Sequence, residues 1–579
     1  MIKDKIRQLI INSVAKVAPD FELGDIVIDK PKSDFGDYAT NVAFVSAKEL
    51  KKDPKEVAGI LVEAMLKAKT VEDGIADIKV EGGYINFFLD DALAVSELER
   101  IAEDDNYGSN DTFAGKKVMI EFTDPNPFKE FHVGHLMSNA IGESISRLYD
   151  ASGAEVLRAN YQGDVGVHVA KAVWGMMQLP DKMPADNEEL AIKVAYMGKA
   201  YAQGNNAYED DPKAKEEIDE LNQKIYKREG SEINDLYDKG REWSLAYFET
   251  IYQRLGTKFE HYFFESEMSD AGLEIVNANP DVFPESQGAR IFKGEDYGLH
   301  TRVFVSSKGL PTYEAKELGL NKIKFEKYHP DISLIVTGND IVEYFKVTLK
   351  AMEQIMPDIA KKTQHVPHGF LRLSSGKMSS RKGDIITAEG LIEDVKKIIY
   401  EKMHDREELN EDDRRLVAER VAIGAIKYSI LKQSPGRDIV FDFQKSLSFE
   451  GDSGPYLQYT YARLFSILRK AEEATDEAKD NASGGDISEL KDAEELKIIK
   501  HLMEFPDALL RATQLHAPNH VALYVYELAN LVNTYYEKTR ILKDENESRR
   551  KARLTLIKTV NKTLERGLYI LGIQVLEKI

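Results

Sequence analysis

The feature that most constrains the fold is the run of residues 115–162, where a strand pattern, a helix pattern and a second strand pattern follow closely. Val118, Ile120 and Phe122 alternate with other residues as in a β-strand, and the proline-containing turn DPNP follows them. The next stretch, HVGHLMSNAIGESISRLYDASG, has the pattern of a helix, and Gly153 stands where such a helix commonly ends. Because AEVLRANYQ then has a strand pattern, the spacing predicts a right-handed crossover between parallel strands and hence an α/β fold.

Two histidines, His132 and His135, stand at the predicted start of that helix, with Gly134 between them. On their own they are as well explained by surface or core packing, and zinc would need a third ligand, for which the sequence has no HExxH-type partner. Their position favours a nucleotide, because free N–H groups and the helix dipole attract phosphate at a helix N-terminus. Ligands of open parallel sheets also bind beyond the carboxyl ends of the strands. We therefore expect a nucleotide site here, where Gly134 lets a flat base or ribose approach the backbone.

The composition narrows the class of protein. Cysteine is absent, which excludes disulfides, thiolate nucleophiles and cysteine-ligated metals. The formal net charge of −21 argues against indiscriminate binding of polyanions but permits a local basic face for nucleic acid. No apolar run approaches the ~20 residues that span a bilayer, and the N-terminus has the pattern of an amphipathic helix rather than an export signal, so the expected compartment is the cytoplasm.

The rest of the chain divides by pattern. At 579 residues it is too long for a single core. Residues 180–250 are dense in charged residues and predict helices inserted into the sheet domain. Strand patterns return at residues 301–307 and 331–338, each followed by a helix pattern, and beyond about residue 410 nearly everything is predicted to be helical. The polar, glycine-containing stretch 474–490 predicts an exposed loop.

A second motif, GKMSSRKGD at residues 376–384, combines glycines and serines with the positive charges of Lys377, Arg381 and Lys382. Alone it could be a solvated basic turn. Together with the two histidines it resembles the paired HIGH and KMSKS signatures of class I aminoacyl-tRNA synthetases, here His-Val-Gly-His and Lys-Met-Ser-Ser-Arg. The resemblance implies a Rossmann-type parallel-sheet catalytic domain that activates an amino acid with ATP. In that reaction an already ionised carboxylate attacks the α-phosphate, so the protein must position the reactants and neutralise charge rather than supply a base.

Residues 120–135, IEFTDPNPFKEFHVGH, resemble the arginyl-tRNA synthetase version of this region. Ser380 stands where KMSKS has its second lysine, and the resemblance implies that Lys129 takes over that charge. The catalytic residues that it implies are Lys129, His132, His135, Lys377 and Arg381. The ATP-binding residues that it implies are Asn126, Gly134, His135, Gly338, Asp340, Gly369, Met378 and Ser379. Mg²⁺ is expected to act on the pyrophosphate, without metal ligands from the protein.

The amino-acid pocket is predicted from the needs of a guanidinium group, which binds well to a planar arrangement of carboxylate oxygens. The arginine-binding residues that the resemblance implies are Glu121, Asn126, Tyr313 and Glu317. Thr312 is expected to cap the helix that follows, so that Tyr313 and Glu317 lie one turn apart on one face. Two positions depart from the family pattern: Glu317 replaces an aspartate, and Ile341 stands where a substrate-binding glutamine is common.

Residues 448–471 resemble the opening of the family's helical anticodon-binding domain, and residues 30–44 resemble its N-terminal domain, which contacts the D-loop of tRNA. Tyrosines beside arginines can stack on unpaired bases, although each tyrosine could equally pack in a core. The tRNA-binding residues that the resemblance implies are Tyr84, Asn86, Tyr456, Tyr459, Arg463 and Tyr536. The expected domains are an α+β domain at 1–105, the catalytic domain at 106–405 and an all-α domain at 406–579.

The expected reaction is ATP-dependent attachment of L-arginine to tRNA(Arg), carried out by a monomer. One alternative is a class I synthetase for another amino acid, such as glutamate or glutamine, in view of Glu317 and Ile341. A second is a small-molecule nucleotidyltransferase that shares the histidine motif, which the C-terminal resemblance disfavours. A third is a non-catalytic tRNA-binding relative, which the intact motifs disfavour.

Overall fold

The structure is a computed structural model that describes residues 2–21, 23–24, 26–31, 35–374, 386–403, 409–473 and 485–579. The chain forms two compact units, and each contains segments that are distant in sequence. Unit 1 consists of Met1–Tyr107, Leu464–Phe505 and Leu528–Thr563. Unit 2 consists of Gly108–Arg463, Pro506–Glu527 and Leu564–Ile579.

The N-terminal part of unit 1 is an α+β fold. Its elements are α1 (Ile2–Val17), β1 (Ile28–Asp29), β2 (Tyr38–Thr40), α2 (Val42–Leu50), α3 (Pro54–Ala68), β3 (Ile75–Glu81), β4 (Tyr84–Leu89) and α4 (Asp91–Glu103). The strands form an antiparallel sheet in the order β1–β2–β4–β3. Gly82 and Gly83, with φ of 57° and 94°, join β3 to β4 in a two-residue turn that suits glycine. The predicted amphipathic helix is confirmed as α1, whose Ile6 and Ile10 share a core with Ile85 of β4.

Unit 2 begins with alternating strands and helices. They are β5 (Lys117–Phe122), α5 (Val133–Ala151), β6 (Glu155–Gln162), α6 (Val167–Met177), α7 (Leu190–Asp210), α8 (Pro212–Lys227), α9 (Ser231–Leu255), β7 (His261–Phe264), α10 (Glu265–Ala278), β8 (Glu285–Ser286), β9 (Ala289–Phe292), β10 (Arg302–Val305), α11 (Tyr313–Tyr328), β11 (Ile332–Gly338), α12 (Val342–Ile355), α13 (Pro357–Ala360) and β12 (Thr363–His368). Within the described ranges, a parallel sheet has the order β12–β11–β5–β6–β7. Helix α5 connects β5 to its neighbour β6, so the predicted crossover is confirmed. Gly153 follows α5 with φ of 85°, as expected at a helix end.

Two further strand predictions are confirmed, but the two strands belong to different sheets. Residues 331–338 supply β11, which pairs with β5 in the parallel sheet. Residues 301–307 supply β10, which instead belongs to a small antiparallel sheet with β9 and β8. The sheet that carries the predicted nucleotide site is therefore built from β5 and its parallel neighbours.

The predicted helical insertion is present as α7, α8 and α9. Its contact with α6 is close because two glycines leave out side chains. A methyl group on Gly175 would come 1.9 Å from Ala200 O, and one on Gly204 would come 1.9 Å from Lys171 O. Trp243 of α9 is buried in the same core as α6. The insertion is thus packed into the catalytic unit rather than attached as a separate module.

The remaining elements are mainly helical, as predicted. They are β13 (Leu371–Leu373), α14 (Ala388–Lys402), α15 (Glu411–Leu431), β14 (Ile439–Phe441), α16 (Phe443–Ser446), α17 (Gly454–Glu473), α18 (Ala493–Met503), α19 (Phe505–Gln514), α20 (Asn519–Lys538) and α21 (Glu547–Ile570). Residues 474–484 of the predicted loop lie outside the described residues, and Ile487–Glu489 form a 3₁₀ turn. In the part of the chain that is described, we find no helix with the length and apolarity needed to cross a membrane.

The final segment of unit 2 is held by long-range hydrogen bonds from side chains on α5, α15 and α17. Each bond ends on a backbone carbonyl close to the end of α21 or just beyond it. The pairs are Arg147 to Tyr569 O at 2.7 Å, Lys427 to Gly572 O at 2.8 Å and Gln458 to Gln574 O at 2.7 Å. The first crossover helix of the sheet is therefore bonded directly to residues from the end of the helical region.

Candidate active site

The two predicted histidines meet at the N-terminus of α5. His132 caps the helix, and its Nδ1 accepts the Gly134 N–H at 3.1 Å. The His132 N–H donates to Nδ1 of His135 at 3.3 Å, and the two rings stack with centroids 3.7 Å apart. Since each Nδ1 accepts a backbone hydrogen, the proton of each neutral ring lies on Nε2. Both imidazoles are thus held as Nε2–H donors, which suits phosphate or ribose oxygens.

The electrostatic surroundings keep both rings neutral at physiological pH. Burial lowers the pKa of His132, and the nearby charge of Lys129 lowers it further. Burial also lowers the pKa of His135, to well below its ordinary value, and His132 and Lys129 add to this effect. The pair can therefore donate hydrogen bonds without titrating, and positive charge for a phosphate must come from lysine or arginine side chains.

The loop between β5 and α5 holds a strained backbone. Thr123, Asp124 and Phe128 have positive φ values of 79°, 44° and 67°, a region that costs residues other than glycine about 1–2 kcal/mol each. A hydrogen bond to the surrounding structure fixes each of them. The pairs are Thr123 N to Ser138 Oγ at 2.9 Å, Tyr161 N to Asp124 Oδ1 at 2.8 Å and Phe128 N to Ser244 Oγ at 2.9 Å. The loop conformation brings Asn126 against Gly163, where a methyl group would lie 2.3 Å from Asn126 Oδ1.

The predicted ATP-binding residues on other strands lie at the carboxyl edge of the sheet. Gly338 ends β11, and Gly369 directly follows β12. A methyl group on Gly369 would come 2.2 Å from the backbone oxygen of Arg437, so that position has no room for a side chain, and one on Gly338 would come 2.5 Å from Asp340 Oδ1 and displace that carboxylate. The charge of exposed Asp340 acts on His132, where it partly offsets the effect of burial on the pKa. These groups and the N-terminus of α5 therefore share one edge of the sheet.

The predicted lysine motif falls outside the described residues. The positions concerned are Lys377, Met378, Ser379 and Arg381. The described residues that follow the motif are hydrogen-bonded to the histidine segment. Val133 N–H donates to Ile386 O at 3.0 Å, and Ala388 N–H donates to Phe131 O at 2.9 Å. The chain therefore runs beside His132 directly after the motif.

The two predicted guanidinium ligands are buried. Glu121 and Glu317 have 2% and 4% of their surface exposed. Glu121 forms an ion pair with Lys324, whose side chain is fully buried. Glu317 accepts a hydrogen bond from Asn321 Nδ2 at 2.8 Å, and burial, with the charge of Glu121, raises its pKa to about 7. The two carboxylates are accompanied by Lys324, so one negative charge among these three groups is uncompensated when both acids are ionised.

One prediction about α11 is wrong. Thr312 occupies the N-cap position, but its hydroxyl accepts no hydrogen bond from the helix. It donates backwards to carbonyls of β10, Val303 O at 2.7 Å and Phe304 O at 3.0 Å, because the strand edge offers these acceptors. Tyr313 and Glu317 are one turn apart as predicted, yet Tyr313 is 59% exposed whereas Glu317 is buried. The rim and the floor of the predicted pocket thus come from the same helix.

Curated relatives match nearly the whole chain. "Arginine--tRNA ligase" of Clostridium perfringens (strain 13 / Type A) is 32% identical over 559 residues, covering 95% of both chains. The protein of the same name from Clostridium acetobutylicum is 33% identical over 558 residues, again with 95% of both covered. The family model "tRNA synthetases class I (R), catalytic domain" matches residues 97–443. This chain belongs to the arginyl-tRNA synthetase family. "Arginyl tRNA synthetase N terminal domain" matches residues 4–89, and "DALR anticodon binding domain" matches residues 457–579.

Solved structures of arginyl-tRNA synthetases have the same fold. The enzyme of Thermus thermophilus aligns over 100% of both chains with a TM-score of 0.82 and 24% identity. The enzyme of Plasmodium falciparum aligns over 100% of this chain and 99% of its own, with a TM-score of 0.81 and 20% identity. The predicted combination of a parallel-sheet catalytic domain, an N-terminal domain and a helical C-terminal domain is confirmed.

The predicted tRNA-binding residues of this synthetase differ in exposure. Tyr84 is 50% exposed at the start of β4, whereas Asn86 is 3% exposed in the same strand. Asn86 is thus covered within the protein whereas Tyr84 is open to solvent, and the role of both in tRNA binding stays a prediction. The other predicted residues, all partly exposed, are Tyr456, Tyr459 and Arg463 on α17 and Tyr536 on α20. Arg463 stacks over the Tyr459 ring at 5.1 Å, as expected for interleaved arginine and tyrosine.

Several charged or polar groups around the predicted arginine pocket were not anticipated from the sequence. Lys324 is seven residues after Glu317, so the helical period alone would have put both on one face of α11. Tyr344, three residues after Ile341, donates its hydroxyl hydrogen to Tyr313 O at 3.1 Å. Glu265 begins α10 and pairs with a lysine of α11, a contact without any local sequence signal.

Proposed function

We propose that this protein charges tRNA(Arg) with L-arginine in two steps. In the first step the arginine carboxylate attacks the α-phosphate of ATP, forming arginyl-adenylate and releasing pyrophosphate. In the second step a terminal ribose hydroxyl of the tRNA attacks the activated carbonyl, and AMP leaves. The nucleophile of the first step is already ionised, so the required contributions are orientation and charge neutralisation.

We assign the binding of ATP to the histidine pair. The Nε2–H groups of His132 and His135 donate to oxygens of the α-phosphate region and the ribose, at the N-terminus of α5, where the helix dipole favours negative charge. Lys129 supplies a nearby positive charge, and Lys377 and Arg381 are proposed to add theirs from the motif that precedes Ile386. Mg²⁺ enters as part of the substrate, bound to the phosphates of ATP.

The observation that supports arginine best is the charge of the buried acid pair. Glu121 and Glu317, together with Lys324, carry one uncompensated negative charge when both acids are ionised. The guanidinium of arginine would neutralise that charge and provide donors in a planar fork. The side chain of glutamate would add a second uncompensated negative charge, and that of glutamine would leave the first in place. The pocket therefore favours arginine over the two alternative substrates.

The regions outside the catalytic site are proposed to bind the tRNA. We propose functional boundaries at residues 1–105, 106–405 and 406–579, with the first region on the D-loop and the last on the anticodon. Tyr456, Tyr459 and Arg463 on α17 offer stacking surfaces for unpaired bases. We further propose that the synthetase is a monomer and acts in the cytoplasm, which sedimentation and cell fractionation would test.

Charging assays with single amino acids test the proposed substrate. Purified protein, total tRNA and ATP are incubated with each amino acid in turn, and acid-precipitable aminoacyl-tRNA is counted. Arginine alone should be attached, and only to arginine isoacceptors. Attachment of glutamate or glutamine in place of arginine would refute the proposal.

The order of binding is tested by pyrophosphate exchange. We propose that tRNA must bind before arginine is activated, as is common in the family. Exchange of labelled pyrophosphate into ATP should be near background with arginine alone and should appear when tRNA(Arg) is added. Strong exchange without RNA would reject this order of binding but would leave the charging reaction itself intact.

A further inference from the structure

We propose that the helical insertion completes the arginine pocket: Tyr226 of α8 positions Lys316, and through it Glu265, beside the amino-acid site. The inference rests on the proposed function, because it gives Tyr226 a part in binding arginine. Tyr226 is a positioning residue in this account, since it acts through Lys316 rather than by touching the substrate.

Lys316 is the centre of the arrangement. Its ammonium donates to the Tyr226 hydroxyl at 2.9 Å and to Glu265 Oε2 at 2.9 Å. The same ammonium lies 5.1 Å from the centre of the Tyr226 ring and 5.3 Å from that of Tyr313, within the range of cation–π attraction. Helices α8, α10 and α11 therefore meet at a single charged group.

The charges involved are removed from water. Lys316 is 3% exposed and Glu265 is 6% exposed, and a buried ion pair is stable only when additional hydrogen bonds satisfy its remaining donors and acceptors. Burial alone would lower the pKa of Lys316, but Glu265 and Tyr226 together outweigh burial and raise it to about 12. The Tyr226 hydroxyl thus stabilises a lysine that stays charged at every pH at which the enzyme would work.

The ion pair adjoins the predicted arginine site. Lys316 directly precedes Glu317 on α11. Glu265 Oε1 lies close to Gly163, where a methyl group would come 3.0 Å from that oxygen and 2.3 Å from Asn126 Oδ1. Glu265 and Asn126 therefore approach the same glycine, and Asn126 is one of the predicted arginine ligands. A shift of the Glu265 carboxylate would therefore change the polar surroundings of the Asn126 side chain.

Loss of the Tyr226 hydroxyl should weaken the binding of arginine rather than the binding of ATP. The Lys316 ammonium would lose one of its two named acceptors, and its flexible four-carbon stem would let it and Glu265 move. Asn126 is predicted to contact both substrates, but the other predicted ATP contacts among the described residues lie on α5 and near the ends of β11 and β12. Glu265 follows β7, at the opposite edge of the sheet from β11 and β12. A selective rise in the KM for arginine is therefore the expected signature.

The test is Tyr226→Phe, which removes the hydroxyl and keeps the ring. In steady-state charging of tRNA(Arg), the KM for arginine should rise at least about fivefold, while kcat and the KM for ATP stay within about twofold of wild type. Tyr208→Phe is the matched control, because Tyr208 belongs to the same insertion but its hydroxyl donates to exposed Asp219 at 3.1 Å. All three constants of that control should equal those of the wild type.

A second variant tests the route of the effect. In a Lys316→Met background, Tyr226→Phe should cause no further rise in the KM for arginine, because the group that the hydroxyl holds is gone. An unchanged arginine KM in folded Tyr226→Phe would overturn the inference, as would an equal rise in the KM for ATP, which indicates general loosening. If Lys316→Met does not fold, the Tyr226→Phe and Tyr208→Phe comparison decides alone. A wild-type protein that charges no tRNA with arginine would instead refute the proposed function.

Discussion

Replacing Glu317 with glutamine removes a charge from the arginine pocket while keeping the shape of the side chain. The carboxyl is 4% exposed, and burial, with the charge of Glu121, raises its pKa from 4.5 to about 7. At about 1.4 kcal/mol for each factor of ten in the proton equilibrium, this difference corresponds to about 3 kcal/mol. Because the pKa is raised in the folded state, Glu317 destabilises the fold at high pH, and this penalty disappears as pH falls from about 7 to 4.5.

The substitution should therefore stabilise the free protein and weaken its binding of arginine. At pH 8 the free energy of unfolding of Glu317→Gln should exceed that of the wild type by up to about 3 kcal/mol, and the gain should shrink towards pH 5. Asn321 can still donate to the glutamine oxygen, so that hydrogen bond is kept. The kcat/KM for arginine should fall on the order of 100-fold, because a guanidinium loses a charged partner.

Urea unfolding followed by tryptophan fluorescence measures the first effect, since Trp174 and Trp243 both lie in unit 2. Steady-state charging of tRNA(Arg) measures the second. Glu314→Gln on the same helix is the control, and its effect on the free energy of unfolding should have the opposite sign. Glu314 is paired with Arg302 at 2.9 Å, so loss of its charge should destabilise the protein. Equal stability of Glu317→Gln and wild type at pH 8, together with an unchanged arginine KM, would refute the reasoning.

Three other substitutions test separate parts of the site. His135→Ala should lower kcat/KM about 10²–10³-fold by removing a donor to the phosphate region, and single-turnover adenylate formation measures this loss. Gly163→Ala should lower kcat/KM for arginine at least about tenfold, because its methyl group would come 2.3 Å from Asn126 Oδ1. Its control is Gly198→Ala in α7, where the added methyl group meets open space. That control should leave the kinetic constants unchanged and raise the melting temperature. Tyr459→Ala should raise the KM for tRNA at least about fivefold and leave that for arginine unchanged, as charging with varied tRNA would show.

The wild-type pH profile gives an independent check on the pocket. Protonation of Glu317 removes its negative charge, so the KM for arginine should rise as pH falls below about 7. The histidine pair should contribute less to such an acid limb than free histidines would, because burial lowers the pKa values of His132 and His135. A profile with constant arginine KM between pH 8 and pH 6 would contradict the assignment of Glu317.

Local signals in the sequence were sufficient for the strand, the turn and the helix that carry the histidines. The alternation of Val118, Ile120 and Phe122 and the switch to a helical period both arise from near neighbours, and the structure confirms them. Two short motifs indicated class I, residues 120–135 indicated the arginyl-tRNA synthetase family, and the comparisons confirm that family. The parallel sheet could be inferred because a short crossover permits few topologies.

Contacts between distant segments could not be predicted in this way. Thr312 was expected to cap α11, but the carbonyls of β10 compete for its hydroxyl, and that strand edge is visible only in three dimensions. The ion pair of Glu121 and Lys324 joins a strand to a helix some two hundred residues later. Asn86 is buried although exposed Tyr84 precedes it by two residues on the same strand, and this difference depends on tertiary packing rather than on alternation along β4.

The hydrogen bond from Arg147 to Tyr569 O has a consequence for how the protein is made. Its partners are 422 residues apart in the chain, and translation at about 5–20 residues per second separates their synthesis by roughly 20–85 s. Throughout that interval the guanidinium on α5 lacks its eventual acceptor, while the sheet around it is free to form. The ribosome therefore delivers the strands of the parallel sheet long before residues 564–579, and this hydrogen bond of α5 can form only after Tyr569 has been synthesised.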